Sequence, residues 1–229
     1  MNENLRLDYV NRALVRIGDA PLSALLEGEA GDEAGQASAA DVALLVYEPT
    51  VRELLSRRRW EFACVQAQLA RLEGVSPLVG WTYAYQFPTE PPYLRLARLA
   101  YSADSLSLGS SAAVITSARR GLAYAIRASD DGKHVYLLSH WSDVFVEYVG
   151  RVEEVLFSAS FGACVVLGLA IKMAQALTDD TDLVKQLNIE LYGDRARGFT
   201  GALTMAKLED SQNSPNPGFA DDAGFVSGR

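Results

Sequence analysis

Ser139-His140 followed by Asp143 brings together the residue types of a hydrolytic triad: a nucleophile, a base and an orienting carboxylate. Neighbouring residues on a chain do not point at one another easily, and working triads are assembled from separated positions. Neither residue type nor spacing supplies a G-x-S-x-G elbow here. The stretch reads better as a loop between two strands. Asp179, Asp180 and Asp182 are types that bind a divalent cation, yet an EF-hand needs a glycine at its sixth loop position, and Val184 stands there instead. Capping of a following helix by Asp180 or Thr181 explains the cluster more simply. Gly109-Ser110-Ser111 lacks the Gly-Lys-Ser/Thr ending of a phosphate loop. Arg57 to Arg59 and Arg119-Arg120 are short basic runs, for which solvated faces and carboxylate partners are the common fates. Trp60, Phe62, Trp81, Tyr83, Tyr85, Phe87 and Tyr93 lie close in sequence, and packing between sheet and helices accounts for them better than stacking on bases.

Composition agrees with this thin chemistry. The 229 residues carry 21 basic and 29 acidic side chains, a formal charge of −8. A pI near 4.8 argues against an electrostatic grip on nucleic acid, which calls for a basic face. Cys64 and Cys164 form no metal-ligand spacing, and His134 and His140 are the whole histidine complement, so no cofactor or metal is expected. An apolar fraction of 49% with 22% charged residues is ordinary globular usage, which argues against a wholly disordered or fibrous chain.

The elements that would hold these side chains follow from periodicity. Leu5, Tyr9, Val10, Ala13, Leu14 and Ile17 make a helical stripe stopped by Gly18 and Pro21. Glu27 to Ala40, rich in Gly, Ala and acids, reads as a mobile loop. Helical rhythm resumes at Ala39 through Val42, Leu45, Val46 and Leu54, with Pro49 expected to kink or divide that helix before Arg57 to Arg59 close it. The middle of the chain changes to period two. Tyr83 to Phe87, Tyr93 to Leu99, Tyr124 to Ala128, Val135 to Leu138 and Val144 to Tyr148 read as strands, and Asp130-Asp131-Gly132 is a strong turn signal for a hairpin over residues 123–139. Strands that follow one another without intervening helices favour an antiparallel sheet. Phe157 to Leu177 is nearly all apolar, but Lys172 and Gln175 notch it, so a buried helix is expected rather than a membrane span. A last helix is expected from Leu183 through Tyr192, Phe199 and Leu203 to Asp210, followed by a polar tail from Ser211. The expected fold is α+β. Residues 1–62 and 151–211 form a helical bundle, 63–150 an inserted antiparallel β-rich domain, and 212–229 an extended tail.

The succession of these pieces carries a resemblance. Ile17-Gly18, then Val51-Arg52-Glu53-Leu54-Leu55 leading into Trp60-Glu61-Phe62-Ala63, then Trp81-Thr82-Tyr83-Ala84-Tyr85-Gln86-Phe87-Pro88, Val146-Glu147-Tyr148-Val149 and Ala174-Gln175-Ala176-Leu177-Thr178 resemble the tail tubular protein A family, the head-to-tail adaptors of short-tailed phages. The likeness runs over residues 5–210 and rests on order and spacing, with no catalytic signature. It implies a structural virion protein rather than an enzyme: a twelve-fold ring in the neck of the particle. Such a ring would bind the portal protein above and the tail nozzle protein below, and double-stranded DNA would pass through its lumen without specific binding. Cyclic rings require two different complementary surfaces on each subunit. On this reading Phe219, Phe225 and Arg229 of the tail are portal-docking candidates, Asp130, Asp131 and Gly132 are nozzle-facing candidates, and carboxylates line the lumen. No membrane partner is implied. The alternatives are a virion-associated or accessory hydrolase, which would need the Ser139, His140, Asp143 group, and an assembly factor absent from finished particles.

Overall fold

A computed structural model describes residues 2–25, 38–73, 80–100, 124–129, 132–178, 180–194 and 196–212. The fold is α+β, with antiparallel sheets. The chain divides into two compact units. One comprises Met1–Phe62 with Val152–Asn213, and the other is built on Ala63–Arg151.

The helical unit contains α1 (Asn2–Ile17), α2 (Ala39–Ser56), α3 (Ala159–Leu177), α4 (Thr181–Tyr192) and α5 (Ala202–Gln212). Helix α3 packs against each of the other four. Its sequence explains that position. Ser158 caps it by accepting the Phe161 N–H at 3.2 Å, and Phe161, Cys164, Val165, Leu169, Ala170 and Met173 are fully buried, so apolar side chains are shielded on most of its circumference. It is long and apolar enough to cross a membrane, but 67% of its apolar window is buried inside this unit. Two glycines let its neighbours close in. A Cβ at Gly162 would lie 3.0 Å from the Tyr9 ring, and one at Gly168 would lie 2.8 Å from Thr50 Cγ2. Trp60 is completely buried, sits edge-on to Phe161 at 4.8 Å and donates its indole N–H to the Leu54 carbonyl at 3.0 Å.

Two helical expectations need correction. Pro49 does not divide α2, which runs unbroken from Ala39 to Ser56. The proline lies on the exposed side, where water can satisfy the carbonyl it leaves without a donor, and Thr50 Oγ1 donates to the Val46 carbonyl at 2.6 Å in the same turn. The final helix, by contrast, is broken in two. Residues Gly193–Asp194 (β8) and Phe199–Thr200 (β9) form a small antiparallel ribbon between α4 and α5. Gly193 has φ +84°, and a Cβ there would be 2.5 Å from the Phe199 carbonyl oxygen, so an apolar helical rhythm cannot carry the chain past this point.

The second unit contains β1 (Cys64–Gln68), β2 (Ala70–Arg71), β3 (Tyr83–Gln86), β4 (Tyr93–Ala100), β5 (Tyr124–Ala128), β6 (Val135–Ser139) and β7 (Phe145–Gly150). They form two sheets, ordered β1-β7-β4 and β2-β3-β6-β5. Leu69, Tyr85, Phe87, Leu99, Leu137, Val144, Val146 and Tyr148 make its core. Strand β4 slips register against β7 at two places, which accounts for its imperfect alternation in the sequence. The hairpin expected over residues 123–139 is the antiparallel β5–β6 pair.

Candidate interaction surfaces

The residues of the triad reading are each engaged elsewhere. Ser139 is fully buried, and its Oγ accepts the Trp141 N–H at 3.3 Å. His140 Nδ1 lies 2.9 Å from Thr82 Oγ1, with its ring stacked on Trp81 at 5.1 Å. Asp143 accepts from Ser142 Oγ at 2.9 Å and Gln68 Nε2 at 3.4 Å. These contacts shape the loop between β6 and β7. Asp180 is the N-cap of α4, accepting the N–H groups of Asp182 at 3.0 Å and Leu183 at 2.9 Å. Asp179 lies outside the described residues. Among the described residues no group of three or more His, Cys, Asp or Glu is placed to hold a metal ion.

Arg57 and Arg59 pair with carboxylates, Arg57 with Glu53 at 2.5 Å and Arg59 with Glu61. Glu53 also receives Lys172 at 3.0 Å, and Arg57 stacks over the Tyr192 ring at 4.8 Å. The Arg57 hydrogen bond, ahead of the Lys172 contact, holds the Glu53 carboxyl below its usual range. Nearby, burial and then the charges of Arg58 and Arg57 push the Lys207 ammonium down. The C-terminal end of α2 is thus a cationic corner on an acidic chain. Arg119 and Arg120 lie outside the described residues.

Of the candidates for docking on neighbours, Asp130, Asp131, Phe219, Phe225 and Arg229 lie outside the described residues. Gly132 is described: it is exposed, has φ +69°, and donates its N–H to the Ser129 carbonyl at 2.9 Å in the turn between β5 and β6. Glu27 to Ala37, within the expected loop, lies outside the described residues as well.

The apolar rhythm read in the sequence included Leu45 in the second helix and Phe199 in the last, and the structure corrects both, since each side chain is exposed. Leu45 on α2 is 76% exposed, and Val15 on α1 is 61% exposed. Val155, Leu156, Phe199, Met205 and Leu208 are each more than half exposed. Leu45 shares the outward face of α2 with Asp41, Glu48 and Arg52, at the i, i+3 and i, i+4 spacings that make side chains neighbours. Val15 borders a groove of about 440 Å³ between α1, α3 and α4, floored by Ala163, Val166 and Leu167 and edged by Ala202. Arg12 and the Arg16–Glu190 pair, bonded at 2.6 Å, form its rim. Val15 falls off the buried stripe of α1, whereas Leu45 fits an apolar rhythm in the sequence yet projects outward, because the face of α2 that packs is the one carrying Ala43, Tyr47, Val51 and Leu54.

The chain matches no protein-family model and no curated protein. The surfaces of the helical unit offer apolar projections and an apolar groove, both edged with charge.

Proposed function

We propose that this chain is a structural adaptor of a short-tailed phage particle, a subunit of a twelve-fold ring joining the portal protein to the tail nozzle. Duplex DNA passes through the ring without specific binding. Carrying this reading is the exposure of large apolar side chains on separate elements of one small helical unit: Val15, Leu45, Val155, Leu156, Phe199, Met205 and Leu208. Isolated exposed apolar residues are ordinary, but exposure on several elements suits a subunit that meets more than one neighbour. A ring in particular needs two unlike surfaces per subunit. The element order supports the same reading, since helices flank an inserted β-rich unit as the resemblance implies. The net charge of −8 suits a channel wall that does not hold DNA.

Electron microscopy of the purified chain mixed with its portal tests the reading. Class averages are expected to show twelve-fold rings stacked on the portal. A chain that stays solitary in that mixture, or is missing from purified particles, overturns it.

A further inference from the structure

We propose that the ring closes by a head-to-tail contact in which Leu45 of one copy enters the groove between α1, α3 and α4 of the next. This inference rests on the ring reading above and names the two surfaces that it requires. The groove is apolar at its floor and open beside Val15, while Leu45 is the most exposed large apolar side chain among the described residues. Leu45 and the residues around it contribute nothing to the groove wall, so one copy can offer both surfaces at once, as a heterologous contact demands.

Charge decides the pairing. On the groove rim Arg16 is committed to Glu190 through two bonds, at 2.7 and 2.6 Å, whereas Arg12 is only 3.7 Å from Asp8 and 54% exposed. On α2, Glu48 is committed to Arg52 at 2.8 Å, whereas Asp41 is hydrogen-bonded to the Ser38 hydroxyl and faces no cation among the described residues. Each surface therefore has one loosely held charge, and the two signs are opposite. Their placement matches as well. Asp41 lies one helical turn from Leu45, and Arg12 lies one turn from Val15, a spacing of about 5–6 Å in both cases. When Leu45 seats beside Val15, Asp41 reaches Arg12. A second copy of this chain thus supplies both the apolar side chain and the carboxylate that the groove accepts.

The test uses concentrated full-length chain carrying Arg12→Cys and Asp41→Cys together on a Cys64→Ser background. Mild oxidation is expected to give a ladder of disulfide-linked multimers, because each copy has one cysteine on each surface; either single variant gives no ladder. Leu45→Asp, with an unchanged helical circular dichroism spectrum, is expected to weaken association about tenfold or more. Arg12→Asp is expected to weaken it as well, and adding Asp41→Arg to that variant restores it. Absence of a ladder from folded protein overturns the proposal, as does a ladder that stops at dimers, which would mark a reciprocal contact. Undiminished association of Leu45→Asp also overturns it. Rings that persist on the portal with Leu45→Asp would leave the adaptor reading standing and remove this contact. Leu45-dependent multimers that ignore the portal would do the reverse.

Discussion

Asp210, near the end of α5, accepts the backbone N–H of Glu61 at 2.8 Å, across 149 residues of chain. Its carboxylate does for the single 3-10 turn Glu61–Ala63 what a capping side chain normally does from the adjacent residue. The last helix is thereby fastened to the segment through which the chain leaves the helical unit. Asp210 is only 5% exposed, so that bond is shielded from water. Asp210→Ala is expected to lower the unfolding free energy by about 1 kcal/mol, because the part-buried Glu61 N–H loses its acceptor. Urea denaturation followed by tryptophan fluorescence measures it.

The same carboxylate sets a pH dependence. Burial raises the Asp210 pKa above its ordinary value, against the smaller opposing effects of the Glu61 N–H bond and the nearby Arg58 and Arg59 charges. A carboxyl whose pKa is higher folded than unfolded binds its proton more readily in the folded state. Its contribution to stability therefore grows as pH falls through the folded pKa, and levels off below the unfolded value of about 3.8. Wild type is expected to gain stability relative to Asp210→Asn as pH falls through that window. A Tm difference between the two that stays constant with pH would contradict the assignment.

Glu53 behaves in the opposite sense. Its pKa is lowered, chiefly by the Arg57 hydrogen bond, so its contribution is present above the unfolded value of about 4.5 and is lost as pH falls through the folded pKa. With its side chain 38% exposed, solvent screens much of the interaction. Glu53→Gln is expected to be slightly less stable than wild type at pH 7, by up to about 1 kcal/mol, and indistinguishable from it at strongly acid pH. Paired thermal melts across pH report the convergence.

Close approach of α2 to α3 at Thr50 and Gly168 makes a steric prediction. Gly168→Ala places a methyl 2.8 Å from Thr50 Cγ2 and is expected to cost about 1–3 kcal/mol. Thr50→Ser removes that Cγ2 and keeps the hydroxyl that donates to the Val46 carbonyl. The double variant should recover part of the loss, and additive effects in the double-mutant cycle would exclude the contact as the cause.

Cys164 is a buried free thiol whose pKa is pushed up to about 11 by desolvation. Thiolate is the reacting form, so this cysteine is expected to resist disulfide reagents at pH 8 in the folded chain. Its labelling should follow unfolding, as mass-resolved labelling in a urea series would show.

Periodicity carries a long way in the helical unit. The stripe from Tyr9 to Ile17 is buried along α1, and the apolar run after Ser158 is α3, because burial on one face or nearly all faces leaves a mark on spacing. The β5–β6 hairpin was legible from alternation around a turn signal. Strand β1 was not. Val65, Ala67 and Leu69 alternate with Gln66 and Gln68, but the run is short, directly follows the helical Trp60-Glu61-Phe62 block, and becomes a strand by pairing with β7, a partner far along the chain. The break at Gly193 also escaped notice, since side-chain rhythm continues through it while backbone geometry does not. The groove was invisible in the sequence for another reason. Val15, Val166 and Ala202 belong to different segments and meet only after the helices pack.

The β1–β7 register pairs Cys64 with Val149. The first and last residues of the intervening strand-rich segment are therefore side by side, within the roughly 5 Å of an antiparallel pair. Such a segment is a cassette with a narrow neck. Evolution can enlarge, trim or exchange everything beyond that neck while the flanking helices keep the same short span to bridge, so variation can accumulate there without rebuilding the scaffold.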